Sequence, residues 1–464
     1  MFLFMMALFL ILPSTKGQQY IVHFTISSYG LELQSSDSIN LISVQFNIKS
    51  IIRCTAICST EIKCQTFEYD DFLQICRLFA VWTDENRLVS SSILTYRVGY
   101  IKQISDLYSL YNQSCVPSQD IHRYLLCTNN SQWACPIGQF YNGTQCVPNL
   151  NFTWRWNATG ITVAGISGAH GTAPDRLYIP TGITFDTADT LYIADQNNNR
   201  IQRWMKDARN GTTVAGAANG VLGTTSTTLS SPYNVLLDSD NNLYIADTGN
   251  HRIQFWLNNA TSGTTIAGTG TSGSSTNQFN SPYDIARDPI SNKLYITDSD
   301  NHRVMCYVVG IMNGTVVAGG NGHGTSNTQL YTPYGIYFDS SSNSLIIANY
   351  GANNIIRWTL GSNFWVLVVG SISGMGGYSS MLLNFPRDVT LDSMGNVYVV
   401  DTNNHRIQFF KAGESNGTTI AGITSDAGNG AMNLQIPYSL ALDSQLNLYV
   451  ADSYNNRIQK FLHY

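Results

Sequence analysis

From residue 180 onward the chain repeats itself six times. PTGITFDTADTLYIADQNNNRIQRW begins at Pro180, PYNVLLDSDNNLYIADTGNHRIQFW at Pro232 and PYDIARDPISNKLYITDSDNHRVMCY at Pro282. PYGIYFDSSSNSLIIANYGANNIIRW follows at Pro333, PRDVTLDSMGNVYVVDTNNHRIQFF at Pro386 and PYSLALDSQLNLYVADSYNNRIQKF at Pro437. The six prolines stand 52, 50, 51, 53 and 51 residues apart. A fixed period of this size marks a repeat architecture, in which one unit cannot bury its own faces and stacks on its neighbours.

Each unit holds four strand-like runs with turn chemistry between them. Strand a is VLLD-like and strand b is LYIAD-like. Strand c is RIQFW-like and follows an Asn/Gly-rich loop. Strand d is GTTIAG-like and leads through a Gly/Ser/Thr connector to the next proline. Consecutive apolar positions in a and b suit sheets covered on both faces. The chain therefore reads as mainly β, a six-bladed β-propeller over residues 151–464. The sixth unit ends at Tyr464 after strand c, and its missing strand d stands at the front, in NATGITVAG, residues 157–165. That strand is expected to complete the last blade and hide two sheet edges that would otherwise invite pairing with other chains.

The b–c hairpins carry a second regularity. Three units have Asp247 with Asn250-His251-Arg252-Ile253, Asp298 with Asn301-His302-Arg303-Val304, and Asp401 with Asn404-His405-Arg406-Ile407. The first and sixth keep Asp195 with Arg200 and Asp452 with Arg457, with Asn199 and Asn456 in place of His. The fourth replaces both charges, with Asn349 and Asn354. This pattern resembles the NHL repeat. Asp and Arg flank a tight hairpin and can pair across it, since charges are rarely buried unpaired. Joint loss in the fourth unit fits a pair lost together. The Asp that ends strand a (Asp186, Asp238, Asp288, Asp339, Asp392, Asp443) is expected to accept backbone N–H bonds in the a–b turn.

The resemblance also raises two activities. Related propeller enzymes bind a metal near the central channel, and some NHL proteins bind RNA. The three His stand at equivalent positions on a ring. With strands about 4.8 Å apart, a b–c loop lies roughly 10 Å from the axis. Zinc needs its ligands about 2 Å away. These His cannot share one ion, so no metal, cofactor or catalytic residue is predicted. From residue 151 on there are 16 Lys and Arg against 20 Asp and Glu, a net charge of −4, which argues against nucleic acid.

Only 12% of the chain is charged, against a usual value of roughly 25%. Its polar surface must come from hydroxyls, amides and glycans. The opening MFLFMMALFLILPSTKG has an apolar run over residues 2–12, short of the roughly 20 residues a membrane span needs. It reads as a secretory signal peptide, residues 1–17. No later run is long enough to span, so the chain is expected to be secreted. Nine Asn-x-Ser/Thr sequons agree: Asn112, Asn129, Asn142, Asn151, Asn157, Asn210, Asn259, Asn313 and Asn416.

Eight of nine cysteines precede residue 150. In an exported chain, an even cluster reads as disulfides rather than a zinc site. Cys54 and Cys58 at i and i+4 share one side of a short helix. Cys64 opens one strand, CQTFEYD, and Cys76 lies in a second, ICRLF. Three pairings are open, and Cys54–Cys76 with Cys58–Cys64 is favoured. C-x3-C, C-x2-F-x-Y-D (Cys64, Phe67, Tyr69, Asp70) and C-x-L (Cys76, Leu78) resemble the PAN/apple domain. The resemblance implies a small α+β module over residues 18–101 that binds protein or carbohydrate. Cys115, Cys127, Cys135 and Cys146 form two further bridges in a Cys-rich linker, residues 102–150. Cys306, in a propeller strand, is expected to be a buried free thiol.

Five sequons (Asn157, Asn210, Asn259, Asn313, Asn416) directly precede a strand d and so fall on c–d hairpins. No b–c loop carries one. Bulky, hydrated glycans would keep the c–d face solvated. The opposite face is left bare, and Tyr233, Tyr283, Tyr334 and Tyr438 enter it beside the channel. With His251, His302 and His405 they are the candidate binding residues. Each Tyr either meets a ligand or packs between blades. The reading is a secreted binding protein for an extracellular protein or glycan partner. The alternatives are a metal-dependent hydrolase or lyase of lactonase or amidating-lyase type, and a structural matrix component.

Overall fold

The computed structural model describes residues 154–464 in full, Pro289 apart; before them it gives only the backbone of short strands. The chain divides into two compact units, Met1–Pro148 and Asn149–Tyr464. In the first, Thr66–Asp70 pairs antiparallel with Ile75–Phe79, the two strands expected after Cys64 and around Cys76. The signal peptide, the helix at Cys54 and Cys58, the eight front cysteines and the sequons Asn112, Asn129, Asn142 and Asn151 lie outside the fully described residues.

The second unit is a ring of six four-stranded antiparallel sheets. Blade one runs Pro180–Phe185, Leu191–Asp195, Arg200–Trp204, Thr212–Gly216. Blade two runs Asn234–Leu237, Leu243–Asp247, Arg252–Trp256, Thr264–Ala267. Blade three runs Pro282–Asp288, Lys293–Asp298, Arg303–Val308, Thr315–Gly319. Blade four runs Pro333–Asp339, Ser344–Asn349, Asn354–Thr359, Trp365–Gly370. Blade five runs Pro386–Leu391, Val397–Asp401, Arg406–Phe410, Thr418–Gly422. Blade six takes Ser439–Leu442, Leu448–Asp452 and Arg457–Phe461 from the end of the chain and Ile161–Gly165 from before blade one. The closing strand pairs antiparallel with Arg457–Phe461.

Strand b is buried at every residue in all six blades, apart from Lys293, which opens it in blade three. That is why it is apolar without alternation: both faces of the sheet are covered. The apolar packing lies between blades. Tyr192, Ala194, Ile201 and Ala215 of blade one meet Val235, Leu243, Ile245 and Trp256 of blade two. A similar cluster fills each of the other junctions, including the one that closes the ring, where Ala164 and Ile458 meet Ile183 and Ile193.

Each strand-a Asp accepts backbone N–H bonds in the a–b turn. Asp186 takes those of Ala188 and Thr190 at 2.9 Å, and Asp443 those of Gln445 and Asn447 at 3.0 and 2.8 Å. Asp238, Asp288, Asp339 and Asp392 do the same. Cys306 differs from expectation, since it is half-buried rather than buried. It sits on strand c where the other blades place Arg203, Phe255, Arg357, Phe409 and Lys460, a position that is half-buried in every blade but the fifth, where Phe409 is buried. Burial still pushes its thiol pKa up.

Candidate functional site

The b–c hairpins build one face of the ring. Strand b ends on Asp195, a single 3-10 turn follows, and the next residue, Asn199, is left-handed at φ +52°. The other blades repeat this with His251, His302, Asn353, His405 and Asn456. Asn tolerates that conformation at little cost, and His is among the residues enriched there.

Across each hairpin, Asp and Arg pair with Nε–Oδ2 distances of 2.7–2.8 Å: Asp195–Arg200, Asp247–Arg252, Asp298–Arg303, Asp401–Arg406 and Asp452–Arg457. The guanidinium also donates to carbonyls of the d–a connector, as Arg252 does to Thr224, Thr225 and Thr228. These pairs hold the connectors in place and leave no charge free for chemistry.

The His side chains are staples between blades. His251 Nδ1 accepts the N–H of Ser281 at 3.2 Å, His302 that of Thr332 at 3.1 Å and His405 that of Ile436 at 3.2 Å. Where the sequence has Asn, Oδ1 accepts the equivalent N–H: Asn199 from Ser231, Asn353 from Phe385 and Asn456 from Ile179. Every donor precedes its blade's strand-a proline position and has positive φ. The bond thus fixes a backbone conformation that is costly for a non-Gly residue. Among the described residues, no three of His, Cys, Asp and Glu converge on a metal-sized site.

The staple predicts a pH response. Burial lowers the pKa of His302, with His323 adding to the effect and Asp300 opposing it. Burial lowers that of His405, opposed by Asp426. An accepting Nδ1 needs a neutral ring, while unfolded His titrates near about pH 6.5. The folded state therefore binds fewer protons, and stability present above about pH 6.5 is lost as pH falls from there through the folded pKa values. The double replacement His302→Asn with His405→Asn should flatten this slope in thermal unfolding between about pH 7.5 and 5. An unchanged slope would place the titrating groups elsewhere.

Inside this face, the residues after the strand-a prolines form a collar: Thr181, Tyr233, Tyr283, Tyr334, Arg387 and Tyr438, one per blade. The rings pack on one another across the axis. Tyr283 stacks on Tyr334 at 4.2 Å, Tyr233 meets Tyr283 edge-on at 4.5 Å, and Tyr233 and Tyr438 lie 6.0 Å apart. Tyr350 and Tyr454, from the b–c turns, add to Tyr334 and Tyr438. Ligand contact and packing between blades were the two expectations for these Tyr; contact with one another over the channel is what the geometry gives. Burial raises the hydroxyl pKa of Tyr233, Tyr283 and Tyr438, the last to about 12.

Arg387 was not among the sequence candidates. Its guanidinium lies 3.9 Å over the Tyr438 ring, 4.8 Å from Tyr334 and 5.1 Å from Tyr350. One Nη donates to the Tyr233 hydroxyl at 3.1 Å, from the opposite side of the ring. The available signal was Pro386-Arg387 where four other units read Pro-Tyr.

One residue further along strand a, the channel is lined by Gly182, Asn234, Asp284, Gly335, Asp388 and Ser439. Asp284 accepts from Ile285, from Asn234 and, in blade four, from Ile336. Asp388 accepts from Val389, Ser439 and, in blade six, Leu440. Gly335 permits this closeness, for a Cβ there would sit 2.7 Å from Asp388 Cα. Burial raises the pKa of both carboxyls, and the charge of Asp388 raises that of Asp284 further. The pair stitches strands a together around the axis.

The model of the family described as NHL repeat matches residues 177–204, 235–255, 383–410 and 434–461, in blades one, two, five and six. Four of the six blades thus carry NHL repeats. Over 256 residues the chain is 29% identical to Protein SUPPRESSOR OF QUENCHING 1, chloroplastic, of Arabidopsis thaliana. That stretch is 47% of this chain but 24% of the relative, so the chain spans about a quarter of that protein's length. Among solved structures, a Bacteroides thetaiotaomicron protein of unknown function superposes with a TM-score of 0.53 and 16% identity, over 69% of this chain and 80% of its own. An auxiliary nutrient binding protein of the same organism gives 0.50 and 15%, over 70% and 83%. At such identities the likeness is one of fold. The ring also shows where its five sequons lie: Asn157, Asn210, Asn259, Asn313 and Asn416 are all exposed. Their hairpins sit beside the a–b turns, as where Asn258 N–H meets Asn242 Oδ1.

Proposed function

We propose that this chain is a secreted binding protein whose NHL ring meets an extracellular protein or glycan through its b–c face. The observation that carries the reading is the separation of the two faces. All five propeller sequons are exposed on the c–d side, while the other side offers the Tyr collar and the exposed rings of Tyr331, Tyr378 and Tyr454. Large exposed aromatics in a setting poor in charge suit a recognition surface. The nutrient-binding name of one fold neighbour agrees with such a role for that protein. The PAN/apple-like front would be a second contact module.

Replacement of Tyr378 by Asn creates the sequon Asn-Ser-Ser on the d–a connector of the b–c face, at a residue 74% exposed. Expression through a secretory pathway should yield secreted chain with glycans on the c–d sequons, read by glycopeptide mass spectrometry. On a glycan array and an extracellular-domain array, Tyr378→Asn should lose the native signal, whereas Asn259→Gln should keep it. Retention of the chain in the cell, bare c–d sequons, or equal binding by Tyr378→Asn would overturn the reading.

A further inference from the structure

We propose that Arg387 is the anchor for a carboxylate group of a small ligand that enters the mouth of the ring. This rests on the b–c face being the contact face and names the ligand chemistry it would take.

The argument begins with what the collar position needs. Four blades place Tyr there and one Thr, so the fold itself asks for an aromatic or a small residue. Blade five instead introduces a permanent cation. No Asp or Glu lies within salt-bridge distance of it among the described residues, although the five hairpin Arg each have such a partner. A half-buried charge without a counter-charge is unfavourable, and sites that break a local rule are where function is expected.

The geometry says which part of the cation is left for a ligand. Tyr438, Tyr334 and Tyr350 lie against its faces, where ring quadrupoles attract a cation. The in-plane N–H groups remain. One donates to Tyr233, and the buried Nε has no acceptor. A guanidinium edge presents parallel N–H donors that match the two oxygens of a carboxylate. The rings cover its faces, so an acceptor for the unpartnered Nε has to lie in the guanidinium plane. The half-buried Tyr334 lies against it, Tyr283 stacks on Tyr334 and the exposed Tyr454 meets Tyr438, a platform for a sugar ring or an aromatic ring attached to the acid.

Isothermal titration of the full chain at about pH 7, where a carboxylate is ionised, tests this with two matched pairs: D-glucuronate against D-glucose, and benzoate against benzamide. At least one acid should bind saturably, and its uncharged counterpart about tenfold more weakly or worse. Arg387→Met should abolish that binding. Arg387→Lys, which keeps charge but loses the planar edge, should weaken it about tenfold. Which acid responds tells a sugar acid from an aromatic one. Acids no better than their neutral partners, full binding by Arg387→Met, or no binding of either acid would overturn the proposal. If Arg387→Met does not fold, the acid-to-neutral ratio on the native chain still decides. Equal binding of acid and neutral forms would remove the anion anchor while leaving the contact face standing, which the array comparison tests by itself.

Discussion

Replacing Asp247 by Ala should cost the ring about 3–5 kcal/mol, while replacing Asp247 and Arg252 together by Asn should cost only about 1–3 kcal/mol. Asp247 is fully buried and accepts from Ser230 N at 2.7 Å, Asn250 Nδ2 at 2.8 Å and Arg252 Nε at 2.7 Å. Its loss strands the charge of Arg252, a residue only 7% exposed. Burial is the leading influence on the Asp247 carboxyl and raises its pKa despite Arg252. Desolvation thus consumes much of what the charge pair gains, as is general for buried pairs. A neutral pair at the same place forgoes the attraction and the desolvation together. Blade four already does this. Asn349 Oδ1 accepts from Tyr331 N at 2.7 Å and Asn354 Nδ2 donates to Ser371 O at 2.7 Å. Its remaining amide atoms, Asn349 Nδ2 and Asn354 Oδ1, find no partner, which is the source of the residual cost. Urea unfolding of Asp247→Asn, Arg252→Asn and the double variant measures the coupling. A double variant as costly as the sum of the singles would mean that the pair does not act as a unit.

What could be read from the sequence follows what the repeat records. The period, the four strands and the closing strand are written several times over, so chance substitutions in one unit do not hide them. Asp186 and its five counterparts were legible because an Asx turn is a local bond within four residues. The staples were not. His251 binds the backbone of Ser281, 30 residues away in the next blade, so its role depends on ring closure. The exchange of His for Asn between units was the trace of it, since both offer an acceptor at that reach. Arg387 was further from sight. It occurs once, and it matters because rings from blades two, four and six meet over the axis; no window of sequence shows that convergence. Asp284 and Asp388 were hidden in the same way, by taking partners from the following blade.

Shortening the chain from residues 149–464 to 167–464 should abolish cooperative folding. The deletion removes Ile161–Gly165, the outer strand of blade six. It strips the ladder partner from Arg457–Phe461, whose Ile458 and Phe461 are fully buried. It also removes Trp156, which packs against Phe409 at 5.5 Å and Tyr398 at 5.7 Å and donates its Nε1–H to Leu446 O at 2.9 Å. An open edge next to exposed apolar surface invites strand addition from another copy, so aggregation on size-exclusion chromatography is the expected form of failure. A peptide of residues 154–166 added in trans should restore monomer and a single unfolding transition, because the strand reaches the blade as a separate element. Trp156→Ala is the graded version: loss of one large buried ring should cost about 3–5 kcal/mol without opening the ring. A shortened chain that stayed monomeric and unfolded in one sharp step would show that strands a to c suffice, and that the front strand is an ornament of the sixth blade rather than its lock.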